Sequence, residues 1–219
     1  RTNTYFMPTP LPYTLGSEAV GKIVKLGEGV NTSHFEIGKR VLAILPFGGG
    51  YAEQVLANEQ YCIPLPPPIQ PKDATAIFVQ GSTAHLMIHQ LARDVNGKTL
   101  LIHAAAGGVG SLLIQLSKLA GSKVIGTAST SEKLEKVKAC GADITIDYSK
   151  KDWVEDLLNQ NNNEKVDYIF EMVGGTIYQN SFKCLKQGGS MIVYGQAGKE
   201  KGYMHSEHFV DESHNLLSF

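Results

Sequence analysis

The sequence predicts an α/β protein whose parallel sheet is covered by helices on both faces and follows a smaller β-rich part. After Asn96-Gly97, short apolar runs alternate regularly with segments of helical spacing. These runs lack the polar alternation of half-exposed strands, which indicates strands buried on both faces. Before about residue 70 the chain instead alternates apolar and polar residues between glycine-rich turns, a pattern typical of antiparallel strands.

The β-rich part begins with "AVGKIVKLGEGV", which predicts one strand, and continues with "RVLAILPFGGGYAEQVLA", which predicts two strands joined by a glycine turn. "IPLPPPIQP" predicts a rigid connector. "DATAIFVQGSTAHLMIHQLA" then has helical spacing, with Gly81 as a weak point inside it. We therefore expect two domains, residues 1–71 and residues 72–219.

The second domain alternates predicted strands and helices, as βα units do. The strands are expected at 99–104, 123–128, 143–147, 167–173 and 190–195. The helices are expected near 108–120, 131–140, 151–160 and 176–187. The tail after Lys199 is polar and predicts no element.

A glycine-rich turn joins the first of these strands to the first helix. The segment from Ala105 to Gly110 reads A-x-G-x-x-G, the dinucleotide-binding fingerprint with its first glycine replaced by alanine. Such a turn lets the backbone approach a pyrophosphate and lets the helix pack closely on the strand. The helix N-terminus adds unpaired N–H groups and a positive dipole end. This turn predicts a bound dinucleotide, and its alternative is a tightly packed βα turn without a ligand.

The second strand of the sheet indicates which dinucleotide is bound. NAD sites place an acidic residue about 20 residues after the fingerprint, where it binds the ribose hydroxyls. No Asp or Glu lies between Ser111 and Ser131 here, and the strand is followed by hydroxyls and a cation. Thr127, Ser129 and Lys133 suit a 2′-phosphate, so the sequence favours NADP(H). The alternative for Lys133 is a solvated side chain on an exposed helix.

Composition excludes other classes of function. With 42% hydrophobic residues and a net charge of −1 at pH 7, the chain offers no basic surface for nucleic acid or an anionic membrane. It has no apolar run long enough to span a membrane. Its three cysteines are isolated, which fits a reducing compartment. We expect a cytoplasmic protein whose partner is a small molecule. Because the chain starts at Arg1 and stops within an apolar run, we expect it to be a piece of a longer protein.

Several motifs together resemble the zinc-free quinone oxidoreductase (ζ-crystallin-like) branch of the medium-chain dehydrogenase/reductase family. They are "LPYTLGSEAVGKIVKLGEGV", "IGKRV", "GGGYAEQV", "QGSTAH", "HAAAGGVG" and "GTASTSEKLEKVKACGAD", in that order. The resemblance covers residues 1 to about 198. It implies part of a GroES-like catalytic domain, then a Rossmann domain that is incomplete at its C-terminus, with the active site between them. It also implies that the whole protein forms a homodimer.

The resemblance assigns roles residue by residue. It places Tyr5 in the substrate pocket as the catalytic candidate, and Thr83 near the nicotinamide. The other implied cofactor-binding positions surround the pyrophosphate, the adenosine end or the nicotinamide. They are Ala106, Gly107, Gly108, Val109 and Gly110, then Lys133 and Tyr148, then Val173, Gly174, Gly195, Gln196 and Ala197. For Tyr5 and Tyr148 the alternative is ordinary half-buried aromatic packing.

The resemblance also bears on metal and on chemistry. Zinc-dependent relatives carry Gly-His-Glu where this chain has Gly16-Ser17-Glu18, and the cysteine expected near Gln80 is missing. A catalytic zinc needs three protein ligands, so no metal is expected. We expect NADPH-dependent hydride transfer to a quinone or related electron-poor acceptor. The alternatives are a zinc-free enoyl or activated-alkene reductase, a non-catalytic NADPH-binding protein and a methyltransferase. A short-chain dehydrogenase is disfavoured because no Tyr-x-x-x-Lys occurs.

Overall fold

The computed structural model describes residues 11–198, 200 and 210–219, and divides into two compact units, 1–79 and 80–219. The division falls inside the first long helix, α1 (Pro71–Leu86), eight residues beyond the boundary expected from the proline-rich connector. A π-helical segment, Met87–Ala92, continues this helix. The helix therefore covers the stretch in which the sequence predicted one.

The N-terminal unit contains a three-stranded antiparallel sheet. Its strands are β1 (Glu18–Lys22), β2 (Arg40–Ile44) and β3 (Cys62–Pro64), in the order β1-β2-β3. Leu42 in the central strand lies opposite Val20 on one side and Ile63 on the other. The second strand predicted within 40–57 is wrong: residues 51–54 form bends, residues 55–57 are irregular, and β2 pairs with β3 instead. Apolar alternation alone did not reveal which segment would pair.

The C-terminal unit contains a six-stranded parallel sheet with the order β6-β5-β4-β7-β8-β9. The strands are β4 (Thr99–Ile102), β5 (Lys123–Ala128), β6 (Ile144–Asp147), β7 (Val166–Glu171), β8 (Leu185–Val193) and β9 (Asn215–Ser218). After α1, the helices are α2 (Gly108–Leu119), α3 (Ser131–Ala139), α4 (Trp153–Gln160) and α5 (Gly175–Ser181). This strand order is that of dinucleotide-binding sheets.

Each central strand buries side chains on both faces. In β4, Leu100 and Ile102 belong to a core with α2 and α3, whereas Leu101 belongs to a second core with α4 and α5. All three side chains are fully buried. Burial on both faces is why these runs carry no polar alternation. The predicted α/β fold, with a parallel sheet between two helical layers, is therefore confirmed.

The sheet corrects the sequence-based expectation at its edge. The tail after Lys199 was expected to form no element, yet β9 pairs in parallel with β8, with Leu216 opposite Met191. A strand of four residues with two leucines gives almost no pattern of its own, so only tertiary pairing reveals it. Two predicted elements also differ in length. β8 begins at Leu185, and α5 ends at Ser181 rather than near 187.

Among the residues that the structure describes, none of the helices combines the length and the apolar character needed to cross a membrane.

Candidate dinucleotide-binding site

The fingerprint turn lies between β4 and α2, at the carboxyl end of the sheet. The strand β4 ends at Ile102, two residues earlier than expected, and Ala104 in the following turn adopts a positive φ of 48°. The Gly107 N–H then donates to the Ala104 carbonyl at 2.9 Å. Gly107 caps α2 without a side-chain hydrogen bond. The first backbone N–H groups of α2 therefore have no side-chain cap and can receive an anion.

Gly110 fixes how closely α2 approaches the turn. A Cβ atom at this position would lie 2.6 Å from the Ala104 carbonyl oxygen and 2.7 Å from the Ala105 Cα. Both are backbone atoms, so the contact cannot be relieved by turning a side chain. The last glycine of the fingerprint is thus required by packing, as expected of a dinucleotide-binding turn.

A cavity of about 190 Å³ opens beside this turn. Seven residues at the carboxyl ends of β4, β5 and β6 or shortly after them line it: Ala104, Ala106, Gly107, Ala128, Ser129, Lys133 and Tyr148. Five of these are residues that the sequence placed in a cofactor site. The carboxyl ends of parallel strands are where open α/β sheets bind ligands.

Lys133 lies in the first turn of α3 and is exposed. The Thr130 hydroxyl caps this helix by accepting from the Lys133 backbone N–H at 3.3 Å. Glu132 pairs with Lys136 at 2.8 Å. Within residues 11–198, 200 and 210–219, no carboxylate lies within 4.0 Å of the Lys133 ammonium. Because Lys133 lines the cavity and its ammonium group has no such partner, this side chain is available to an anionic ligand.

Thr127 does not belong to this cavity, which corrects the sequence-based assignment. It is fully buried, and its Oγ1 lies 2.9 Å from the His103 Nδ1. The His103 Nε2 lies 2.8 Å from the Ser181 Oγ, which itself donates to the Ile177 carbonyl at 2.6 Å. Since the serine proton is used on Ile177, we assign the imidazole proton to Nε2 and the Thr127 hydroxyl as donor to Nδ1.

His103 makes the stability of the fold dependent on pH. Complete burial lowers its pKa to about 3, whereas an unfolded histidine titrates near 6.5, at about its unperturbed value. Below pH 6.5 the unfolded state binds the extra proton, so stability falls as the pH falls towards 3.

We expect the free energy of unfolding of wild type to fall by about 2 kcal/mol more than that of His103→Gln between pH 7 and pH 5, measured by urea unfolding. His34→Gln, at an exposed histidine, should show the wild-type loss. If wild type and both variants lost the same free energy of unfolding between pH 7 and pH 5, the low pKa of His103 would be contradicted.

A second group of predicted residues follows β7 and β8. The Glu171 carboxylate ends β7 and accepts from the backbone N–H groups of Val173 at 2.7 Å and Gly174 at 3.0 Å. Burial raises the pKa of Glu171, and these hydrogen bonds offset part of that rise. Gly174 has a φ of 84° and is the N-cap of α5. The sequence did not predict this role of Glu171, because a single carboxylate after a strand has no distinctive spacing.

The segment after β8 runs beside this turn. The Ala197 N–H donates to the Met172 carbonyl at 2.7 Å, and the Gly198 N–H donates to the Val173 carbonyl at 2.8 Å. Gly195 to Ala197 are exposed, and the Gln196 Nε2 donates to the Glu200 carbonyl at 3.3 Å. The structure thus brings Val173, Gly174 and Ala197 together at the same carboxyl edge as the cavity, although outside its lining.

The other residues predicted from the sequence to bind the cofactor or the substrate lie outside the lining of this cavity or outside the described residues. Thr83 is half-buried on α1. Gly108, Val109 and Gly110 form the first turn of α2 and are not among the residues that line the cavity. Tyr5 lies outside the described residues, so its role stays a prediction.

Two further features concern ligands. A larger cavity of about 330 Å³ lies in the N-terminal unit, beside β1, and is lined mainly by aliphatic side chains. It holds none of the residues predicted to bind a cofactor.

In the part of the chain that the structure describes, no group of three or more His, Cys, Asp or Glu side chains could hold a metal ion.

Comparison with known proteins identifies similar sequences and folds. A family model described as "Zinc-binding dehydrogenase" matches residues 108–218, and one described as "Alcohol dehydrogenase GroES-like domain" matches residues 1–67. The rat quinone oxidoreductase is 33% identical over 198 residues, covering 90% of this chain and 60% of the rat protein. A 2-haloacrylate reductase from a Burkholderia species is 33% identical over 198 residues, covering 87% of this chain and 59% of that protein.

Among solved structures, the Escherichia coli quinone oxidoreductase complexed with NADPH has a TM-score of 0.87 at 29% identity. The alignment covers 98% of this chain and 65% of the Escherichia coli chain. The chain thus spans about 60% of the length of the curated relatives it matches.

Proposed function

Because this chain belongs to the medium-chain dehydrogenase/reductase family, we propose that the protein is an NADPH-dependent oxidoreductase that reduces quinones or related electron-poor acceptors. The cavity beside the fingerprint turn carries the proposal. Its lining combines the backbone of the fingerprint turn, which suits a pyrophosphate, with Lys133, a cation that suits a 2′-phosphate. The named quinone oxidoreductases among the relatives support the choice of acceptor.

The chain's own groups fit the dinucleotide. The uncapped first turn of α2 would hold the pyrophosphate, and the tight approach at Gly110 keeps that turn in place. Lys133 and the Ser129 hydroxyl would bind the 2′-phosphate, with Tyr148 beside the adenosine. The turn that Glu171 holds, through Val173 and Gly174, would line the nicotinamide side together with Gly195, Gln196, Ala197 and Thr83.

When bound, NADPH supplies a hydride, and the acceptor takes up that hydride together with one proton from water. The residues contribute positioning and water exclusion rather than acid–base chemistry. Tyr5 would hydrogen-bond the acceptor in the substrate pocket.

The acceptor class is tested by following NADPH oxidation by the full-length protein with 1,2- and 1,4-quinones, simple enones, 2-haloacrylate and an enoyl thioester. We expect the quinones to give the highest kcat/KM, and Tyr5→Phe to lower it. Preference for 2-haloacrylate or the thioester would establish the alternative, activated-alkene reduction, which the 2-haloacrylate reductase among the relatives favours. NADPH binding without turnover of any acceptor would contradict both and indicate a binding protein.

A further inference from the structure

Two histidines lie side by side on the helix that leads into the parallel sheet. His85 is in the last turn of α1, and His89 follows four residues later, in the π-helical segment that continues it. Their ring centroids lie 4.3 Å apart, with an angle of 49° between the ring planes. Both side chains are exposed, whereas Ala84 and Ile88, which precede them in the chain, are buried in the core. One face of the helix therefore presents two imidazole rings to solvent.

The backbone around this pair is unusual. The Arg93 N–H donates to the Ile88 carbonyl, five residues earlier, at 2.8 Å, and this bond ends the π-helical segment. Arg93 itself has a positive φ of 65°, which strains a residue other than glycine. π-Helical turns that continue α-helices are frequent at functional sites, and so is strained backbone. The segment contributes no residue to the cavity beside the fingerprint turn, so we looked for a separate role.

The chemistry of two neighbouring imidazoles suits a metal ion. Neutral imidazole is the commonest metal ligand among protein side chains, and histidines four residues apart on a helix can bind one ion together. With metal–nitrogen bonds of about 2.0–2.1 Å, two rings bound at right angles to one ion have centroids about 4.5 Å apart. The observed separation is 4.3 Å. His85 and His89 would therefore need little movement to share an ion.

Such a pair is not a catalytic zinc site. A catalytic zinc has three protein ligands, and the residues that the structure describes contain no group of three suitable side chains. An ion bound by two imidazoles keeps water in its other positions, which is possible here because both rings are exposed. Imidazole suits Ni²⁺, Cu²⁺ and Zn²⁺, whereas Mg²⁺ prefers oxygen ligands.

We propose that His85 and His89 together bind one divalent transition-metal ion of the class that takes nitrogen ligands, with water completing its coordination. The ion joins the last turn of α1 to the π-helical segment, and so stabilises the helix where its turn widens. This inference does not depend on the proposed function, because neither a dinucleotide nor an acceptor takes part in it.

The test uses the full-length protein prepared without a polyhistidine tag. Wild type is compared with His85→Gln, His89→Gln and the double variant, and His34→Gln is the control at another exposed histidine. Calorimetric titrations with Ni²⁺ and with Mg²⁺ measure the affinity and the number of ions bound. The melting temperature of each protein, with and without Ni²⁺, is the second readout.

We expect each single variant to weaken Ni²⁺ binding at this site at least tenfold, because the remaining imidazole binds the ion alone. The double variant should lose little more than either single variant, since both rings serve one ion. His34→Gln should stay within about twofold of wild type. Ni²⁺ should raise the melting temperature of wild type more than that of the three pair variants, and Mg²⁺ should not distinguish them.

A further measurement needs no substitution. In wild type, Ni²⁺ should protect His85 and His89 together from modification by diethyl pyrocarbonate, read by mass spectrometry, while His34 stays reactive. If a variant failed to fold, this protection alone would decide, and its absence would overturn the site.

Two results of the titrations would contradict the proposal. Equal Ni²⁺ binding by wild type and the double variant would show that the pair holds no metal and that its contact only packs the helix. Loss of one bound ion in each single variant, with a second ion bound as tightly as before, would show two separate sites of one histidine each instead of a shared one.

Discussion

Gly110→Ala is expected to destabilise the protein by about 2 kcal/mol and to weaken NADPH binding at least tenfold. In a helix this change alone would stabilise by about 0.5–1 kcal/mol. Overpacking costs about 1–3 kcal/mol, and occasionally more. The added Cβ would meet two backbone atoms, 2.6 Å from the Ala104 oxygen and 2.7 Å from the Ala105 Cα. The clash therefore outweighs the gain, and α2 must move away from the turn.

Gly21→Ala is the matched control, because a Cβ at Gly21 meets nothing within 4 Å. Urea unfolding and NADPH titration of both variants measure the difference. If Gly110→Ala were as stable as Gly21→Ala and bound NADPH normally, α2 would not need its close approach to the turn.

Lys133→Ala is expected to weaken NADPH binding ten- to a hundredfold while leaving NADH binding unchanged, as befits the loss of a charge-assisted hydrogen bond. Lys133 lines the cavity, and its ammonium group has no carboxylate partner among the described residues. Lys136→Ala is the control on the same helix, because Lys136 is paired with Glu132 at 2.8 Å. Its loss should change neither affinity.

Calorimetric titration with each nucleotide measures both variants. Equal weakening of NADPH and NADH by Lys133→Ala would show that Lys133 acts on a part that the two nucleotides share. If Lys136→Ala weakened NADPH binding as much as Lys133→Ala does, the effect would come from the general charge of the helix rather than from a specific site.

The fold could be predicted where local pattern and tertiary environment agree. The run Leu100-Leu101-Ile102 is apolar throughout because both of its faces are buried, and Gly110 is needed because a Cβ there would meet backbone atoms of the preceding turn. Ser129 and Lys133 could be placed in a site from the order of the elements alone, since the turns after neighbouring parallel strands meet at one edge.

Other features depend on contacts that no local pattern records. β9 exists because β8 offers it an edge, and residues 51–57 lack a strand although they alternate like one. Thr127 has the same hydroxyl as a ligand-binding residue, but the strand turns it inward to His103. Gln80 and Glu171 lie far in sequence from the fingerprint, and only packing shows that they contact its helix or support the neighbouring turn.

The central claim is that this sheet edge binds NADPH through the fingerprint turn and Lys133. It is tested most directly by thermal unfolding of the protein with NADPH and NADH titrated in parallel. Ligand at about a hundred times its dissociation constant adds about 2.7 kcal/mol of stability. We predict that NADPH raises the melting temperature by several degrees, and that NADH at the same concentration raises it much less. Equal shifts would contradict the phosphate site at Lys133, and a cooperative melt that neither nucleotide shifts would contradict the dinucleotide site itself.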